Sequence, residues 1–136
     1  MKKLTISGLA TIFAVCGCAT ASSDEASMSE RAAKRLAQFE LTGESRNCLS
    51  TTQIRSITPL DDKHFLISGT GGRYYLNEVS GRCYGASRSA NRIQYTTSTG
   101  QLCRNQIISV VGNTSGIFGG SCGLSDFQEL RRKSEQ

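Results

Sequence analysis

Hydrophobic and polar positions change rhythm along this chain. Leu4 to Cys16 is an uncharged run rich in Leu, Ile, Phe, Val and Ala, preceded by Lys2 and Lys3 and followed by polar Thr20, Ser22, Ser23 and Asp24. A membrane-spanning helix needs roughly 20 apolar residues, so this run is too short to cross a bilayer and reads as a removable export signal. Residues 19–26 are Ala, Ser, Thr, Asp and Glu, too polar to bury a core, and read as a tether. From Ser27 to about Leu41 the spacing predicts a helix: Ser27 and Glu30 have capping-box separation, Met28, Ala32, Leu36 and Phe39 share a face, and Gly43 supplies a stop. Its apolar stripe is thin and half alanine, which suits a spacer packed lightly on the domain behind it.

After Glu44 the rhythm shortens to that of strands. Gln53 to Thr58, closed by Pro59, His64 to Ser68, and Arg73 to Val79 predict an antiparallel meander, with Asp61-Asp62 and Gly69 to Gly72 as its turns. Gly81 to Asn91 is irregular. Arg92 to Thr97 is a fourth strand, and Gln106 to Val111, the most apolar run, a fifth and central one. Gly112 to Gly123 reads as turns, and the residues from Glu129 onward as a charged, frayed end. The expected fold is mainly β: a small curled antiparallel sheet or barrel of about five strands, preceded by one short N-terminal helix. The oligonucleotide/oligosaccharide-binding fold is one candidate topology. The expected organisation is a signal over 1–17, a tether with its helix over 18–45, a β domain over 46–127 and a flexible tail over 128–136.

Charge narrows the partners. Without Lys2 and Lys3, the 16 basic residues fall to 14 against 11 acidic ones, a net +3. Nucleic-acid binders concentrate far more charge on one face, so nucleic acid is not an expected partner. Setting aside Cys16 and Cys18 leaves Cys48, Cys83, Cys103 and Cys122, an even number in a chain expected in an oxidising compartment, and hence two disulfides. None of these four is spaced as Cys-x-x-Cys and His64 is the only histidine, so metal and thioredoxin-like readings are weak and no cofactor is expected.

Val15-Cys16-Gly17-Cys18 resembles the bacterial lipobox. The resemblance implies that Cys18 becomes a lipidated N-terminus, and Ala19 after it suggests an outer-membrane lipoprotein facing the periplasm. Ordinary signal cleavage after Ala19 or Ala21 is the alternative. Further on, Cys48-Leu49, Gln53-Ile54-Arg55, Asp61-Asp62, Gly72-Arg73-Tyr74, Arg82-Cys83, Gly100-Gln101-Leu102-Cys103 and Cys122-Gly123-Leu124 resemble a family of small exported proteobacterial proteins known only as a domain of unknown function. The resemblance runs from about Arg46 to Phe127 and implies a stand-alone envelope domain with one four-cysteine framework. Family members usually carry Cys-Pro-Gly where this chain has Cys83-Tyr84-Gly85, and Leu-Cys followed by Gly-Asp where it has Arg104-Asn105-Gln106. Of three pairings, the expected one joins Cys83 to Cys103 and Cys48 to Cys122; the alternative joins Cys48 to Cys103 and Cys83 to Cys122.

Catalytic chemistry finds little purchase. With the cysteines bridged, no thiol is left for His64, which is expected at an edge or surface, and Asp61-Asp62 suit a tight turn. The glycine stretches lack the Lys-Ser/Thr of a phosphate-binding loop. What remains is a surface: Arg73, Arg82, Arg88, Arg92 and Arg104, interleaved with Tyr74, Tyr75, Tyr84 and Tyr95, as a cationic-aromatic patch for an anionic glycan, lipopolysaccharide or an envelope protein, or else as solvated scatter. The expectation is a monomeric, non-enzymatic, lipid-anchored cell-envelope protein with a binding or scaffolding domain; the alternative is an inhibitor of an envelope hydrolase.

Overall fold

The computed structural model describes residues 28–134. The expected signal, Cys18 and the tether to Ala26 lie outside the described residues. In chain order the elements are α1 (Glu30–Leu36), β1 (Phe39–Arg46), β2 (Cys48–Ser50), β3 (Ile54–Pro59), β4 (His64–Gly69), β5 (Tyr74–Glu78), β6 (Asn91–Tyr95), β7 (Gln101–Cys103), β8 (Ile107–Gly112), β9 (Phe118–Gly123) and β10 (Phe127–Arg132). The strands form antiparallel sheets ordered β1-β10-β5-β4-β3, β2-β7 and β6-β8-β9. The fold is thus mainly β with one short helix, as the pattern implies. Each sheet is open at both edges, so the barrel alternative is not the architecture adopted.

The expected meander is β3-β4-β5, and the two further apolar runs are β6 and β8, with β8 central in its sheet. On β4, Phe65 and Ile67 join the main core with Tyr75, Leu102, Ile108, Val110 and Phe127. Leu66 joins a second cluster with Ala32, Phe39, Leu60 and Leu130, under α1. Successive strand residues point to opposite faces, so a strand covered on both sides has a continuous apolar sequence.

The helix is shorter than expected. Ser29 is its N-cap, accepting through Oγ from the Ala32 N–H at 3.2 Å. It ends before Phe39 because Phe39 and Leu41 pair with Arg132 and Leu130 on β10. The register shifts between Leu41 and Ser45, where Gly43 takes a left-handed φ of +87°, a conformation glycine adopts without a steric penalty. Residues 128–132, expected in a flexible tail, instead belong to β10, which lies between β1 and β5. Their charges are spent across strands: Arg131 Nε donates to Glu40 at 2.7 Å, and the Arg132 guanidinium lies 5.7 and 5.2 Å from the ring centres of Phe39 and Tyr74. The domain therefore begins before residue 46 and continues past 127.

The favoured cysteine pairing is corrected. The bridges are Cys48–Cys103 and Cys83–Cys122. Cys48 and Cys103 face each other directly in the β2-β7 ladder, a partnership set by a short strand that the turn-rich sequence around it conceals. Cys122 lies on β9, which forms from the expected glycine turns and pairs with β8. A bridge between Ser80 and Gly123 links the stretch after β5 to β9, bringing Cys83 within reach of Cys122.

Candidate functional site

The β3–β4 turn builds the most ordered polar cluster. Asp61 accepts through Oδ1 from the backbone N–H groups of Lys63 at 2.8 Å and His64 at 2.7 Å, the turn chemistry expected of an aspartate. Its Oδ2 accepts from the Ser29 N–H at 3.1 Å, tying α1 to the turn. His64 Nδ1 lies 2.9 Å from Oδ1 and 3.0 Å from Oδ2. Burial pushes the Asp61 carboxyl upward, but the N–H groups of Lys63, Ser29 and His64 and the His64 ring outweigh it and bring it from 3.8 down to about 2. An ionised Asp61 accepts the Nδ1 proton, which leaves Nε2 as the ring nitrogen that Asp61 does not engage.

His64 is not an edge or surface residue; it is 5% exposed on β4, an interior strand. It lines a cleft of about 190 Å³ together with Ser29, Asp61, Asp62, Lys63, Arg82 and Ser87. The far wall is held by Cys83, whose N–H donates to the Asp62 carbonyl at 2.8 Å and whose sulfur is bonded to Cys122. The Ala86 N–H then donates to the Cys83 carbonyl at 3.0 Å, with Gly85 at φ +79°, closing a tight turn that carries the chain from Arg82 to Ser87.

A second feature lies between two sheet edges. β3 ends one sheet and β6 ends another, and Ile54, Arg55, Ser56, Ile57, Pro59, Asn91, Arg92, Ile93 and Tyr95 enclose a groove of about 420 Å³. Ile54, Ile57, Ile93 and Tyr95 pack on the main core and form its floor. Arg55 and Arg92 are exposed and have no carboxylate within ion-pair distance among the described residues, and no acidic residue lines the groove.

The arginines and tyrosines expected to form a patch are spread over separate features. Arg92 is in the groove with Tyr95; Arg82 is in the cleft. Arg73 and Tyr75 line a shallow pocket beside Leu49 and Thr70, and Arg104 Nη1 lies 3.5 Å from Asp126 Oδ1. Tyr74 packs against Phe39 at 4.9 Å between ring centres, while Tyr84 is exposed, its backbone beside Gly120 on β9. Sequence reasoning missed Arg55 as a groove residue and the Asp61–His64 pair. The second had a signal: an aspartate capping the N–H three residues on lies beside the side chain of that residue.

The chain belongs to a family described as a family of unknown function (DUF6491), whose model matches residues 1–134. The match extends beyond the 46–127 over which the motifs resemble one another. No curated protein and no solved structure matches the chain.

Proposed function

We propose that this chain is an exported, lipid-anchored envelope protein whose β domain binds an anionic component of the envelope without catalysis. The observation that carries the binding reading is the β3–β6 groove: an apolar floor with Tyr95, and Arg55 and Arg92 left unneutralised at its rim. A guanidinium without an internal carboxylate is free to take a carboxylate, sulfate or phosphate oxygen from a partner. Export is supported by the two disulfides, which persist in oxidising compartments. Anchoring is supported by Val15-Cys16-Gly17-Cys18 after a charged start and a short apolar run. Two or more acyl chains on Cys18, at about 0.8 kcal/mol per buried methylene, make attachment stable.

Two measurements test this reading. The intact mass of protein extracted from membranes is expected to correspond to a triacylated chain starting at Cys18; an unmodified start elsewhere ends the lipoprotein reading. Capture from an envelope extract with the wild-type chain, and with Arg55→Glu and Arg92→Glu combined, is expected to recover an anionic component that the variant loses. A component retained equally by both, or a stoichiometric hydrolase inhibited by the chain, contradicts the groove reading.

A further inference from the structure

We propose that the cleft between the β3–β4 turn and the Arg82–Ser87 segment is a binding site for a phosphate group, held by the Arg82 guanidinium and by Nε2 of His64. This site is separate from the β3–β6 groove and does not depend on the reading given to it.

Among the described residues His64 and Asn77 are the buried polar ones. Asn77 is satisfied at both ends: Nδ2 donates to the Ser125 carbonyl at 2.7 Å and Oδ1 accepts from the Ser125 N–H at 3.0 Å. His64 uses Nδ1 alone, and its side chain is 6% exposed. Its Nε2 has no protein partner among the described residues, yet it is not sealed away as a buried unpaired atom, so the small exposed part of the ring includes Nε2 at the cleft. Fixing an imidazole by one nitrogen and offering the other to an opening costs burial of a polar group, and a ligand that completes its hydrogen bonds offsets that cost.

Arg82 is the lining group that favours an anion. Asp61 is ionised, but both its oxygens already accept from the donors described above. Lys63 Nζ lies 3.8 Å from Glu78, the residue opposite His64 on β5. Arg82 has no carboxylate within ion-pair distance among the described residues, and Asp62 is the one lining carboxylate not engaged by a side-chain bond. No group of three His, Cys, Asp or Glu side chains converges there among the described residues, as a metal ion would need. Phosphate fits better than carboxylate because of the proton. A phosphate ester loses its second proton near pH 6, so it still carries a P–OH over a pH range in which a carboxylate has lost its proton. It can donate P–OH to the bare Nε2 or accept from the protonated ring, while its other oxygens face Arg82. A carboxylate is fully ionised over that range and engages Nε2 only after the ring has gained a proton. The 190 Å³ of the cleft is the liquid volume of about six waters at about 30 Å³ each, room for one phosphate with residual water.

Because the chain has a single histidine, the imidazole is a unique reporter. The full chain in detergent, made without a histidine tag and labelled at histidine nitrogen, is titrated at about pH 6.5. One arm uses inorganic phosphate and another glucose 6-phosphate, each against sodium chloride at equal ionic strength. The expected result is a saturable shift of the His64 Nε2 resonance with at least one phosphate species, its affinity reduced at least about tenfold by Arg82→Gln and increased by Asp62→Asn. Both positions lie at the cleft surface, and an unchanged circular dichroism spectrum confirms folding. A stronger response to inorganic phosphate assigns the site to free phosphate; a response equal or stronger with the sugar ester assigns it to a phosphomonoester. No saturable shift beyond the chloride control, or a shift that Arg82→Gln leaves intact, overturns the proposal.

Discussion

Nδ1 of His64 lies 2.9 Å from Oδ1 of Asp61, and the same carboxylate holds the N–H of Ser29 at the start of α1. One side chain thus joins the helix, the β3–β4 turn and a buried imidazole. Its low ionisation has a direct thermodynamic consequence. A carboxyl whose folded value is depressed stabilises the fold above its unfolded value and loses that contribution as pH falls through its folded one. For Asp61 the window runs from 3.8 down to about 2. At this partly buried site, with solvent screening the interactions, the stabilising contribution is about 1–2 kcal/mol. Asp61→Asn is therefore expected to lower unfolding free energy in urea by about that amount at neutral pH, and to flatten the loss of stability across that acid window. An unchanged wild-type-like acid profile in the variant would place the pH dependence on other groups.

The disulfide pairing separates the fold from its competitors. Peptide mapping without reductant is expected to find Cys48 linked to Cys103 and Cys83 linked to Cys122, and no free thiol among them. Removing either bridge as a Cys→Ser pair is expected to cost about 2 to 4 kcal/mol, since the loops closed, 55 and 39 residues apart in sequence, are both long. A Cys83–Cys103 link would contradict the β2–β7 register, in which Cys103 faces Cys48.

At Cys83-Tyr84-Gly85-Ala86 the third position is a glycine at φ +79° and the carbonyl of the first accepts from the fourth at 3.0 Å. That is the arrangement of a type II turn, whose second position favours proline. Tyr84 occupies it, is exposed, and its N–H has no backbone partner among the described residues. Tyr84→Pro is expected to raise stability by about 0.4–1 kcal/mol by restricting the unfolded chain. The check is a higher urea midpoint at an unchanged slope; a lower midpoint would mean that Tyr84 packing on β9 outweighs the entropy gain.

The parts legible in the sequence were those where one apolar run makes one strand. β3, β4, β5, β6 and β8 follow that rule, as does the mainly β class. β1 and β10 were hidden because they meet through charge pairs and a cation over two rings: Glu40 with Arg131, and Arg132 with Phe39 and Tyr74, leave a polar sequence that resembles a helix end and a tail. β9 was hidden by its glycines. A Cβ at Gly123 would stand 2.7 Å from the Ser80 hydroxyl oxygen, so the close approach at the Ser80–Gly123 bridge favours a residue without a strand-like side chain. The groove was half legible: Arg92 and Tyr95 stood out, but their proximity to Arg55 and Ile57 depends on how two sheets meet, which no local period encodes.

The central claim is that the β3–β6 groove binds an anionic envelope component. The most direct measurement places a photo-crosslinking residue at Ser56, inside the groove, and separately at Glu44, exposed on β1 at the opposite edge of the same sheet. Irradiation of living cells expressing the full chain is expected to trap one anionic species from position 56 and not from 44, with the yield falling when Arg92→Glu is added. Identical products from both positions, or a yield from 56 that Arg92→Glu leaves unchanged, would contradict the claim.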